Sequence, residues 1–335
     1  MTPMTEAATG NVSPPRIVAV EEHFRTPELE AVLAGPERLF SRHLADKLAE
    51  LGERRIETMD LAGIDVTVLS SSAPAIQSAE PRQATKIAQQ VNDALADAVA
   101  RYPARLAGFA TLATPDPRAA AGELERGVRE LGFKGAMIHG HTDGRFLDDP
   151  FFWPMLEAAE ALDVPVYLHP TVAPQPVMDA YYSGLPEPLG MILGTGAWGW
   201  HVETGMHAMR MILGGVFRRF PRLQLIIGHL GEGLPFFLDR ATKVLRRPSP
   251  DLAEHFEHSY RNNLYLTTSA FFTDAPLQCA LAVTPPERIL FATDYPYSDA
   301  KEGCDWIRTT SVVDEPTRAA IMHRNSERLL GLPTA

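Results

Sequence analysis

The chain has 335 residues, 45% hydrophobic and 22% charged, the balance of a globular protein with a large core. A net charge of −11 argues against non-specific binding to nucleic acid, which needs a basic face. No apolar run reaches the ~18 residues of a membrane span. The two cysteines, Cys279 and Cys304, lack C-x-x-C spacing, which argues against a disulfide framework or a thiolate metal site and fits a cytoplasmic enzyme.

Residues 1–15 are polar, without a basic n-region or an apolar h-region, so they read as a disordered lead-in rather than a signal peptide. From residue 16 to 335 the chain reads as one domain. Short apolar runs then recur as predicted strands: 16–20, 64–70, 105–112, 135–139, 164–169, 223–229, 263–269 and 288–294. Helical periodicity fills the intervals, most clearly at 82–101, where Ile87, Val91, Leu95 and Val99 recur every fourth residue. Further helices are predicted at 117–131, 150–162, 205–219 and 314–330. Asp116-Pro117 and Asp149-Pro150 supply an acidic cap followed by proline in the first turn. Near-continuous apolar strands alternating with helices imply a parallel sheet covered on both faces. Eight of them predict an α/β fold of the (β/α)8 barrel type. A Gly- and Pro-rich insert at about 171–204 carries Trp198 and Trp200 and is expected to overhang the barrel mouth as a long loop.

Catalytic groups of such barrels stand at the C-terminal ends of the strands. Five of the eight predicted strands end in His, Glu or Asp: Glu21 and His23 after the first, His139 after the fourth, His169 after the fifth, His229 after the sixth and Asp294 after the eighth. Glu21 and His23 are two apart, so on a strand they share a face, while Glu22 points away toward the outer layer. On that register Glu22→Gln is expected to be mild and Glu21→Gln severe. With His169 and Asp294 they make an N/O set suited to zinc or manganese. Trp198, Trp200 and Phe24 are candidate apolar walls for a planar ring. His207 reads as a structural hydrogen-bonding group, and His43, His255, His258 and His323 receive no role.

The motifs E-E-H-F (21–24), Y-L-H-P (167–170), G-H-L-G-E-G-L-P (228–235) and A-T-D-Y-P-Y (292–297) resemble, in this order, the amidohydrolase superfamily. More narrowly, they look like its metal-dependent aromatic-acid decarboxylase branch, which includes gamma-resorcylate and 5-carboxyvanillate decarboxylases. L-G-E-R-R-I-E-T-M-D (51–60), G-R-F-L-D-D-P-F-F (144–152) and V-E-T-G-M-H (202–207) extend the likeness from about residue 17 to 331. The resemblance implies one divalent ion, Zn2+ or Mn2+, on Glu21, His23, His169 and Asp294. It implies a proton-transfer role for Asp294 and a hydrogen-bonded pair, His229 and Glu232, beside the ring. Arg55 and Tyr297 match substrate contacts, and Arg240 matches an arginine that reaches a neighbouring subunit's site, hence a homodimer or homotetramer. The expected activity is non-oxidative decarboxylation of an ortho-hydroxylated benzoic acid, reversible with bicarbonate. The alternative is a lactone or amide hydrolase, or a hydratase, of the same superfamily. Two departures stand out. Glu-x-His replaces the His-x-His of many amidohydrolases. I-H-G-H (138–141) stands where the resorcylate branch usually has an asparagine, so His139 or His141 is a candidate contact for a different ring substituent.

Overall fold

The computed structural model describes residues 15–33 and 41–334; apart from Pro15, the expected lead-in lies outside the described residues. The strands are β1 (Val18–Phe24), β2 (Val66–Ser71), β3 (Leu106–Gly108), β4 (Ala110–Thr111), β5 (Ala136–His139), β6 (Val166–His169), β7 (Leu225–Ile227), β8 (Leu264–Thr267) and β9 (Ile289–Leu290). All neighbouring pairs are parallel, in the orders β1-β2-β3 and β4-β5-β6-β7-β8-β9. β3 and β4 are halves of the third predicted strand, parted at Phe109. Its N–H donates to Leu69 O on one side at 2.9 Å, and Ala110 N–H donates to Gly135 O on the other at 2.8 Å. Past the last ladder, Val20 N–H donates to Phe291 O at 3.2 Å and His23 N–H to Tyr295 O at 2.7 Å. These bonds join the first strand to the segment after the last, giving an eight-stranded parallel βα barrel.

Side chains of Val18, Val20, Val66, Val68, Phe109, Met137, Tyr167 and Ile226 form the inner core. A larger apolar cluster lies between strands and helices, and includes Ile87, Val91 and Leu95 of the helix Pro81–Arg101. Helix starts follow the sequence signals: Asp116 accepts from Ala119 N–H at 3.1 Å ahead of Pro117, and Asp149 from Phe151 N–H at 2.9 Å ahead of Pro150. The segment 171–204 is not one long loop; it forms helices Gln175–Tyr181 and Leu189–Gly194 and opens the helix Gly199–Leu213. That last helix runs so close to the β7 end that a Cβ on Gly205 would lie 2.6 Å from Glu232 O.

One irregularity positions the site. By strict alternation from Val18 and Val20, Glu22 would face the barrel interior. The β1–β2 register instead shifts between Ala19 and Glu22, pairing Ala19 with Thr67 but Glu22 with Leu69. This bulge adds one residue to β1 and reverses its faces beyond that point. Glu21 and His23 thereby turn inward, while Glu22 and Phe24 turn toward the helices.

Candidate metal centre and its cavity

Four side chains meet at the C-terminal end of the barrel: Glu21 and His23 from β1, His169 from β6 and Asp294 after β9. One donor atom from each lies within 4.8 Å of all the others. His23 Nε2 is 3.2 Å from Asp294 Oδ1, and His169 Nε2 is 3.5 Å from Glu21 Oε1. His169 Nδ1 donates to Pro170 O at 2.7 Å, so its Nε2 presents a lone pair to the group. Asp294 reaches in because its backbone turns left-handed, at φ 63°, where an aspartate is among the few side chains tolerated.

Glu21 is fully buried. Its Oε2 accepts hydrogen bonds from Tyr167, Ser269 and Thr267, three hydroxyls on β6 and at the end of β8. Among the described residues, neither its Oε1 nor His23 Nε2 makes a hydrogen bond. Burial raises the Glu21 carboxyl above its ordinary range, with Asp294 adding to the rise against His229 and His23. Burial first, then His23, His139 and His229, hold the His169 imidazole well below its ordinary value. A buried carboxylate oxygen and two imidazole nitrogens turned toward one point fit a divalent cation, which removes the cost of burying the charge. Oxygen and imidazole nitrogen without thiolate suit zinc or manganese.

A second cluster stands beside the first. Glu232 accepts from His229 Nδ1 at 2.7 Å through Oε1 and from His201 Nδ1 at 2.6 Å through Oε2. Burial opposes charge on His229, yet Glu232, with Glu21 and Asp294, pushes its pKa up to about 10. Against burial, His229 and His201 hold Glu232 below the ordinary carboxylate range. His229, Leu230 and Glu232 all have φ between 51° and 54°, a run of left-handed non-glycine residues that turns the chain sharply back over the barrel mouth. His229 Nε2 lies 3.9 Å from Asp294 Oδ2, so the two clusters touch. A cavity of about 330 Å³ opens onto both, walled by Trp200, His201, His229, Phe271, Asp294 and Tyr297. That volume is at the lower end for small-molecule sites and suits a single substituted ring.

Several expected contacts are placed elsewhere. Arg55 does not line the cavity: it is buried, donates to His23 O at 2.7 Å and to the Glu50 and Lys47 carbonyls, and stacks over Tyr295 at 4.7 Å. It anchors the end of β1 instead of presenting a free guanidinium. Phe24 belongs to the core between strands and helices, because the bulge turns it outward. His139 is inaccessible, packed with its ring centroid 4.9 Å from that of His169 and outside the cavity lining. Burial, then His23, holds His139 at a pKa of about 3, so it stays neutral. Trp198 is 54% exposed and lines a neighbouring groove rather than this cavity, whereas Trp200 does form a wall. Arg240 is exposed on the helix Leu234–Leu245 and does not line this chain's own cavity. Tyr297 lines the cavity, edge-on to His23 at 5.6 Å, with its hydroxyl 3.4 Å from Arg25 Nη2. His207 accepts from Leu147 N–H at 2.8 Å through Nε2, a structural bond. Sequence reasoning missed His201, Phe271 and the Tyr167–Thr267–Ser269 hydroxyls; for the last, the period-two spacing of Thr267 and Ser269 with Tyr265 was an available signal.

A parallel βα barrel with an imidazole–carboxylate group at the C-terminal ends of its strands defines a metal-dependent barrel enzyme. The amidohydrolase family pattern matches residues 42–332, and the chain belongs to that family. It is 37% identical to a gamma-resorcylate decarboxylase of a Polaromonas species, over 94% of this chain and 98% of the other. It is 36% identical to the decarboxylase orsB of Emericella nidulans, over 94% and 97%. Among solved structures, the 5-carboxyvanillate decarboxylase of Novosphingobium aromaticivorans, complexed with manganese and 4-hydroxy-3-methoxy-5-nitrobenzoic acid, superposes with a TM-score of 0.87. It is 31% identical, covering 97% of this chain and 98% of the other.

The expectation that Glu22→Gln is mild does not survive the structure. Glu22 does face away from the cavity, but it is buried and accepts from Thr293 N–H at 2.8 Å, Thr293 Oγ1 at 2.7 Å and Tyr295 N–H at 3.3 Å. These donors flank Asp294 on both sides. Burial, only partly offset by the Thr293 bonds, raises the Glu22 carboxyl from 4.5 to about 7. A carboxyl raised by folding stabilises fully below its unfolded pKa, and that contribution is lost as pH rises through the folded value. Between pH 5 and 8 the metal-free protein should lose about 2.5 kcal/mol of unfolding free energy that Glu22→Gln does not lose. Urea unfolding across that range checks this; parallel pH profiles would mean that Glu22 folds without perturbation.

Proposed function

We propose that the protein is a metal-dependent, non-oxidative decarboxylase of an ortho-hydroxylated benzoic acid, a carboxy-lyase whose reaction reverses with bicarbonate. The observation that carries this reading is the contact between the two clusters. Asp294 belongs to the four-donor group and also faces a charged His229, inside a cavity the size of one ring. The named activities of the relatives support it.

Direct loss of carbon dioxide from a benzoate would leave an aryl carbanion too basic to form. An ortho hydroxyl opens another route: the ring carbon bearing the carboxylate is protonated first, and carbon dioxide leaves as aromaticity returns. Glu21, His23, His169 and Asp294 would hold the divalent ion, Zn2+ or Mn2+, which would supply Lewis-acid stabilisation of the substrate's negative charge. Asp294 delivers the proton to the ring carbon. His229 Nε2 carries the proton closest to Asp294 Oδ2, and Glu232 balances its charge, so the pair restores the proton to Asp294. Trp200 and Phe271 exclude water from the ring face, and Tyr297 borders the bound substrate.

The described residues contain no helix long and apolar enough to cross a membrane. Free Cys279 and Cys304 support a cytoplasmic location, and the charge of −11 gives no support to nucleic-acid partners. A homodimer or homotetramer is supported by exposed Trp198, Phe236 and Phe237, which line an apolar groove of about 710 Å³ beside the site. Arg240 stands on the same helix as the two phenylalanines and is assigned to a second copy's cavity.

Purified protein supplied with manganese should convert ortho-hydroxylated benzoates to phenols, followed by ring absorbance, and leave meta- and para-hydroxybenzoates untouched. Asp294→Asn should lower kcat by roughly 10²- to 10⁴-fold. Turnover of lactones with no loss of carbon dioxide from any hydroxybenzoate would replace this reading with the hydrolase alternative. If Arg240 serves a neighbouring site, Arg240→Ala and Asp294→Asn chains should each be inactive alone. Co-expressed, they should recover part of the activity, because a mixed dimer contains one complete site; no recovery would confine Arg240 to its own chain.

A further inference from the structure

His201 lies on the first turn of the helix Gly199–Leu213, at the hinge of the segment that covers the cavity. Both of its ring nitrogens are engaged: Nδ1 with Glu232 Oε2 at 2.6 Å and Nε2 with Gly196 O at 3.1 Å. The Glu232 carboxylate brings no hydrogen, so Nδ1 donates to it. Its ring stands edge-on to His229 at 4.8 Å and to Phe271 at 5.4 Å. His201 also lines both the 330 Å³ cavity and the 710 Å³ apolar groove, and so forms the partition between them.

We propose that His201 is a positioning residue for the reaction: it fixes Glu232, and through it the ring of His229, while pinning the covering segment by the Gly196 carbonyl. The inference rests on the decarboxylase reading. Glu232 has two carboxylate oxygens and each receives one imidazole N–H. With His201 in place, Glu232 has a single orientation, and so does the imidazole it holds against Asp294. Without His201, Oε2 is left buried and unpaired, and Glu232 is free to rotate away from His229. The same imidazole ties the carboxylate to Gly196, on the stretch that roofs the cavity, so that alignment of the proton-bearing pair and closure over the ring depend on one side chain.

Asparagine and glutamine separate the two bonds, since an asparagine amide nitrogen falls near the place of Nδ1 and a glutamine amide nitrogen near that of Nε2. His201→Ala should lower kcat about 10- to 100-fold, the usual loss when a supporting partner is removed, with KM changed less than about 3-fold. It should also speed amide hydrogen exchange across residues 189–200. His201→Asn should restore most of kcat, and His201→Gln should restore exchange protection without restoring kcat. An active wild type whose His201→Ala variant matches it in kcat overturns the inference, as does an Asn variant no better than Ala at equal Tm. A wild type inactive on every hydroxybenzoate defeats the decarboxylase reading instead. In that case hydrogen exchange still decides the tether, and unchanged exchange over 189–200 in His201→Ala overturns it.

Discussion

A carboxylate with no access to water governs the arrangement of this molecule. Glu21 lies at the top of the barrel interior, with three hydroxyls on one oxygen and no donor on the other. Burying such a group costs several kcal/mol unless a cation completes it. Three hydroxyl donors lower that cost and fix the direction of the lone pairs without removing the charge. The side chains around the open oxygen, His23, His169 and Asp294, offer lone pairs or negative charge, so hydrogen bonding among them cannot satisfy the centre. A divalent ion can.

Backbone irregularity delivers these groups. The β1 bulge turns Glu21 and His23 inward, and left-handed residues at His229, Glu232 and Asp294 fold the ends of two strands over the barrel mouth. Each departure carries a conformational cost, and the surrounding packing holds it in place. Arg55 fastens the His23 carbonyl and Glu22 fastens the N–H groups of both residues flanking Asp294. Helix Gly199–Leu213, at its glycine, closes against the Glu232 backbone.

Much of this was legible in the sequence. Apolar runs alternating with amphipathic helices specify a parallel barrel, and polar side chains at the strand ends name Glu21, His23, His169, His229 and Asp294 as neighbours. Depth and facing were less legible. Spacing shows that Phe24 and His139 lie near a strand end, but one extra residue in β1 sends Phe24 outward, and packing buries His139 against His169. Arg55 was expected at the site from the resemblance alone, and it lies on the helix Glu53–Ala62. Glu22 looks dispensable from alternation alone, because its partners are backbone groups 271 and 273 residues away. His201 sits in a segment without hydrophobic periodicity, and only the tertiary approach of the β7 end shows its purpose.

The four-donor group and the group His201, His229 and Glu232 each have the composition to hold a metal ion, but they differ in hydrogen bonding. Glu232 is already satisfied by two imidazole N–H groups, and the nitrogens that bond it have no lone pair to offer. In the first cluster, Glu21 Oε1 and His23 Nε2 make no hydrogen bond among the described residues. Calorimetric titration of metal-stripped protein with Mn2+ tests that distinction most directly. One ion bound per chain, with binding abolished in Glu21→Gln, is the expected result. Two ions per chain, none, or undiminished binding in Glu21→Gln would contradict the account.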